Sequence, residues 1–133
     1  MRFSFDFLIP ANTLTADPER LDVKLMRGVL RHGEVAFPPG PANLVHVVLR
    51  DASFQIAPLN PEQSLHWDDQ IFPFDMNYEL TDVGHTLTLF GWSPGTTFEH
   101  TITVHLDVEP KDKTVSSKLL QFLLGPGFAG DGA

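Results

Sequence analysis

Along most of this chain apolar residues recur at every second position, the spacing that places side chains on alternate faces of an extended strand. In residues 2–9, Phe3, Phe5, Phe7 and Ile9 share one side while Ser4 and Asp6 share the other, which predicts a half-buried strand ending at Pro10. Residues 11–20 are polar and turn-like, and read as an exposed loop. Leu21, Val23 and Leu25 then alternate with Asp22, Lys24 and Met26 as a second strand, and residues 29–37 carry a third, with Gly28 and Gly33 as candidate bulge or bend positions. The stretch 35–61 is the centre of the pattern. Pro38, Pro39 and Pro41 around Gly40 force a corner, and Pro58 and Pro61 close a second one. Between them, residues 43–50 are apolar or aromatic-like on both parities, as suits a central strand covered on both sides.

Residues 63–69 have neither period and are expected to form a loop. Ile71, Phe72, Phe74 and Met76 surround Pro73, which predicts a short edge strand or an irregular crossing before Tyr78, Glu79 and Leu80. His85, Leu87 and Leu89 alternate with Thr86, Thr88, Phe90 and Trp92. Beyond the turn residues Ser93, Pro94, Gly95 and Thr96, the run His100, Ile102, Val104, Leu106 and Val108 alternates with Glu99, Thr101, Thr103, His105 and Asp107. Pro followed by Gly at the centre of a turn predicts that 85–92 and 98–108 pair as a hairpin. The period changes at the end, where Val115, Leu119, Phe122 and Leu123 fall at helical spacing, with Thr114 or Ser116 as N-cap and Gly125 then Pro126 as a stop. The expected fold is all-β: a single antiparallel β-sandwich, jelly-roll-like or immunoglobulin-like, with one short C-terminal helix. Residues 1–110 are the sandwich domain, 111–126 the helix packed on it or on a neighbouring subunit, and 127–133 a flexible tail.

Composition narrows the function more than the fold. A chain of 133 residues with eleven Phe, eleven Pro and ten Gly suits short strands joined by tight corners. Cys is absent, which removes disulfides, thiolate metal sites and cysteine nucleophiles together. Seventeen acids against nine bases give a formal charge of -8 without blocks, a balance that argues against a nucleic-acid surface. The mildly basic stretch Lys24, Arg27 and Arg31 reads as a solvated strand face. The opening residues alternate where a secretory signal would be continuously apolar, and no run is long enough for a membrane-spanning helix.

Six histidines invite a metal, yet His100 and His105 fall on opposite faces of a strand and no HxH, HxxxH or HExxH spacing occurs. His46, among Val and Leu, reads as a core histidine bonded to a carbonyl. One constellation remains. His66, Trp67, Asp68 and Asp69 place an imidazole, an indole and two carboxylates in one loop, a set that a cation or a sugar could use, with Trp92 as a further aromatic. The plainer reading is an acidic turn that Trp67 anchors to the core. Asp68 and Asp69 are adjacent and diverge, which weakens a glycosidase pair. With no GxSxG, phosphate loop or cysteine nucleophile, the expectation is no enzyme, no cofactor and no metal.

The segments IPANT, FPPGPANLVHVVL, QIAPLNP, DDQI and FEHTITVHLDV, within residues 9–108, resemble those of small β-sandwich proteins encoded among tailed-phage virion structural genes. That resemblance implies a place on or within a virion and a multimeric state, and it transfers no functional residue. The resulting expectation is a structural assembly protein, a phage virion decoration or accessory component made in the host cytoplasm. It would act as a homo-oligomer, trimer or dimer, beside other shell or tail proteins, without nucleic acid or membrane. Leu119, Leu120, Phe122, Leu123 and Leu124 are apolar nearly all round a helix, and are the expected oligomer interface. The alternative is a lectin-like module for glycan or another small ligand, using His66, Trp67, Asp68 and Asp69.

Overall fold

The computed structural model describes residues 1–60 and 63–110. The expected C-terminal helix and the expected interface residues Leu119, Leu120, Phe122, Leu123 and Leu124 lie outside them. The described chain is all-β: β1 (Arg2–Ile9), β2 (Glu19–Leu25), β3 (Gly28–Phe37), β4 (His46–Asp51), β5 (Phe54–Ala57), β6 (Leu65–His66), β7 (Gln70–Leu80), β8 (His85–Trp92) and β9 (His100–Pro110). They form two antiparallel sheets, one ordered β1-β9-β3-β7 and the other β2-β8-β4-β5, with β6 also paired to β4. The inner faces meet in one apolar core, to which the first sheet gives Phe7, Ile9, Ile102, Val104 and Leu106 and the second Val23, Leu25, Val47, Leu87 and Leu89. This is a β-sandwich.

Alternation decides which side chains reach that core. Phe3, Phe5, Phe7 and Ile9 stand opposite Leu106, Val104, Ile102 and His100 of β9, so the inward set of one strand meets that of the next. Both pairings of β3 shift register between Leu30 and His32, at neither of the two glycines that the sequence suggested. The shift changes parity: Leu30 points inward before it, and Gly33, Val35 and Phe37 do after it. Arg31 and His32 are thereby left side by side on the outer face. Arg31 Nε bonds Glu109 Oε2 at 2.9 Å, and His32 Nδ1 meets Asp75 Oδ1 at 2.6 Å. Further along the same face Arg2 grips Asp107 with Nε to Oδ1 at 2.9 Å and Nη2 to Oδ2 at 3.0 Å. As expected, β4 is central, with Val47 and Leu49 buried inward and Val48 buried on the other face. Gln55, opposite Arg50 on the outer face, is buried as well; its Nε2 lies 2.8 Å from the Pro58 carbonyl and 2.9 Å from that of Asn60.

Two expectations are corrected. β8 and β9 do not pair as a hairpin: β8 lies between β2 and β4, and β9 between β1 and β3 in the other sheet. Seven residues, 93–99, separate them, enough to cross the roughly 10 Å between packed sheets. The Pro94–Gly95 turn is present, with Gly95 at φ 86°, but it serves a corner between sheets. Second, residues 70–80 form one continuous eleven-residue edge strand through Pro73 rather than a short or irregular one. β7 bonds only β3, so the missing N–H of Pro73 costs no ladder bond on the open side. In the expected loop 63–69, Leu65 and His66 make a two-residue strand against His46 and Val47.

Candidate functional site

At one end of the sandwich the β3–β4 corner faces the β8–β9 crossing, and a groove of about 570 Å³ lies between them. The corner wall is built from proline and left-handed backbone: Gly40, Ala42 and Asn43 take φ of 118°, 50° and 64°, and Leu44 N donates to Pro41 O at 2.8 Å. A non-glycine residue at positive φ is unfavourable unless its surroundings hold it. Asp68 supplies part of that hold. Its Oδ1 accepts from Gly40 N at 2.9 Å and from Ala42 N at 3.0 Å, while Asp69 N donates to Pro38 O at 3.2 Å.

The opposite wall, residues 95–100, is tied to the β1–β2 loop. Ser93 is fully buried; its N donates to Thr13 O and its Oγ to Pro10 O, both at 2.8 Å. Thr96 Oγ1 donates to Ser93 O at 2.8 Å and accepts from Asn12 N at 2.9 Å, and Asn12 Oδ1 accepts from Gly95 N at 2.9 Å. Polar bonds thus fix both walls from behind, and apolar side chains stand on their rims. Phe98 is 75% exposed and Leu44 42% exposed, with Pro39 and Pro41 beside them and Glu99 and His100 completing the lining. The ring of His100 lies against Gly40, and its Nδ1 is buried without a hydrogen-bond partner.

The four loop residues singled out in the sequence serve three different neighbourhoods. His66 lies on the outer face of its sheet, its ring 4.9 Å from that of His46, which stacks on Trp92 at 5.6 Å. Trp67 tilts onto Phe72 at 5.4 Å, on the side where β7 forms the edge. Asp68 holds the proline corner, and Asp69, at φ 50°, bonds that corner through its backbone. His46 is half-buried and meets Ser64 Oγ at 2.9 Å through Nδ1, where a carbonyl partner was expected. Burial, and then the charge of His66, hold the His46 imidazole below its ordinary pKa.

A polar cluster that sequence reasoning missed bridges the two sheets. The Tyr78 hydroxyl, from β7, donates to Asp51 Oδ2 at the end of β4, and the same oxygen meets His85 Nε2 of β8 at 2.8 Å. Burial, then the bond to Asp51 and its charge, push the Tyr78 phenol up to about 12. A carboxylate, an imidazole and a phenol so arranged form a latch between sheets, with each partner engaged by another. Their separations in sequence, 27 and 34 residues, leave no local pattern to find. Among the described residues no group of three or more His, Asp or Glu side chains could hold a metal ion, and no helix is long and apolar enough to cross a membrane. No family model matches the chain, and comparison with curated proteins finds no match.

Proposed function

We propose that this chain is a structural assembly protein, a decoration or accessory component of a phage virion that works without catalysis as a homo-oligomer beside shell or tail proteins. The observation that supports it most is the loop-end groove, where Phe98 and Leu44 project from walls that hydrogen bonds hold from behind. Large apolar side chains presented on a pre-organised frame are what an association surface needs, since little ordering remains to be met on binding. The apolar sequence of Leu119, Leu120, Phe122, Leu123 and Leu124 supports the same reading.

Light scattering on the full-length chain at micromolar concentration tests it. A dimer or trimer whose mass falls in Phe98→Lys, with the β-rich circular dichroism spectrum unchanged, is the expected outcome. A full-length monomer overturns self-assembly. A second reading, a small-ligand or glycan module, draws on the groove's size, which falls within the range of ligand pockets, and on Thr97, Glu99 and His100 beside an aromatic ring. Saturable calorimetric binding of a sugar, lost in Phe98→Ala, would establish that reading instead.

A further inference from the structure

On the side where β5 and β7 are the edges of their sheets, the sandwich is open. Of the five inward side chains of β7 only Leu80 is buried; Phe72, Phe74, Met76 and Tyr78 are half-buried. Across from them Phe54 is 52% and Leu59 69% exposed. Two hollows of about 300 and 230 Å³ share Ile56, Leu59, Asp75 and Met76, and so form one trough along β7. Its walls are in place: the Phe74 ring lies across Gly33, and Phe54 stacks on Tyr78 at 5.8 Å. An apolar trough of this kind on a chain of charge -8 marks a surface that something covers.

We propose that the trough is filled by residues 114–124 of the same chain. This inference stands independently of the assembly reading, and three observations carry it. The first is where the described chain ends: Pro110 lies opposite Gly28 of β3, and Gly28 lies opposite Leu80 of β7. Two strand spacings, about 10 Å, therefore separate Pro110 from the strand that lines the trough. The stretch from Pro110 to Thr114 extends to about 14 Å, so the segment reaches the trough without rearrangement of the sandwich. Length is the second. From Tyr78 to Phe72 the trough runs about 20 Å, and eleven residues in the helical form that their spacing predicts are about 16 Å long.

Chemical match is the third. Val115, Leu119, Leu120, Phe122, Leu123 and Leu124 supply the apolar surface that Phe72, Phe74, Met76 and Tyr78 lack. The single charged residue of the segment is Lys118, and Asp75, which borders the trough, turns its carboxylate to His32 on the outer face, so the match is an apolar one. A short connection also sets the source, because it holds the segment near the trough at an effective concentration of about a millimolar. A separate copy at micromolar concentration competes poorly. A segment apolar nearly all round, seated by one side, keeps apolar residues outward for a neighbouring subunit.

The absence of Cys makes the test clean. In the full-length chain, Leu59→Cys on the trough rim combined with Gln121→Cys provides the only two thiols, and Thr101→Cys, exposed on the outer face of β9 beside the opposite edge strand β1, replaces the rim position in the control. A short bis-maleimide should join the rim pair within one chain about a hundredfold faster than it joins separately mutated chains mixed at micromolar concentration. The control pair should not join. Equal joining of both pairs, or joining only between different chains, overturns the proposal; the second of these identifies another copy as the occupant. Tyr78 is the only tyrosine, so fluorotyrosine labelling gives one resonance from inside the trough. Leu119→Lys with Leu123→Lys should shift it, and an unmoved resonance also overturns the proposal. An internally joined monomer would uphold this assignment while removing the assembly reading, so the two can fail separately.

Discussion

At the residue scale the structure rests on a few side chains and backbone angles whose removal has a calculable sign. Gly95 has no heavy atom within 4 Å of where a Cβ would stand, so a larger residue there meets no steric clash and only the φ of 86° opposes it. Gly95→Val should lower stability by about 1 kcal/mol or more, read as a drop in the midpoint of thermal unfolding. Tyr78→Phe removes a hydroxyl that donates to Asp51 Oδ2 while His85 continues to hold the same oxygen. Loss of one charge-assisted bond without orphaning its partner should cost about 1 to 2 kcal/mol in urea unfolding. The need for positive φ at Gly95 is legible in the sequence, because Pro before Gly in a turn points to it. The role of Tyr78 is not. Nothing local distinguishes a strand tyrosine that faces a carboxylate from one that faces solvent, and Asp51 becomes its partner only when the sheets have stacked. His46 shows the same limit, since its neighbours predict a core position whereas it lies half-buried on the outer face, where its partners, Ser64 and Trp92, depend on which strands lie alongside.

At the scale of elements, alternation proved a sound guide to which face of a strand is buried and a poor one to which strand is its neighbour. The inward sets of β1, β8 and β9 are those that the sequence predicts, because period two is set by the pleat itself. Pairing is decided elsewhere. A hairpin and a crossing between sheets need the same turn residues, and the seven-residue length of the β8–β9 connection is compatible with both. Pro73 pointed to an edge, since proline forbids a central strand and permits an edge, but continuity of β7 over eleven residues was hidden, because it depends on pairing with β3 along the whole length. The loop 66–69 stood out for its chemistry, and its largest visible role is to support another element. Asp68→Ala leaves Gly40 N and Ala42 N without their shared acceptor. Both amides lie near solvent, so the loss should be only about 1 kcal/mol. Hydrogen exchange should nonetheless accelerate at residues 40 and 42 and not in β8, which a general loosening of the sandwich would not produce.

For the whole molecule, three side chains with displaced pKa values link the fold to pH in the acid and neutral range, and they do not pull together. Bonds to Asp75 and then Glu34 raise the His32 pKa above its usual value near 6.5, so protonated His32 favours the folded state. That contribution is fully present below about pH 6.5 and is lost as pH rises through the raised folded value. Burial, followed by the charge of His66, lowers the His46 pKa, so the fold prefers neutral His46. Its effect has the opposite sign: full stability above about pH 6.5, falling as pH drops through the lowered folded value. The bond from Arg2, which outweighs the opposing effect of burial, holds Asp107 below the ordinary carboxylate range, and the Arg2 charge adds to it. Its contribution is present above about pH 4 and disappears as pH falls through the folded value. The bonds of His32 and Asp107 are open to solvent and salt, which screen them, whereas the His46 shift comes first from burial and is screened less. Between about pH 7 and pH 5 the His46 effect should therefore prevail, and the unfolding midpoint of the natural chain should decline across that window. His46→Phe, which keeps a ring against Trp92 and removes the titration, should flatten the decline, and His32→Asn should steepen it. A midpoint that rises towards pH 5 in the natural chain would reverse this ranking and place the exposed His32 cluster above the His46–Trp92 stack in its hold on the fold.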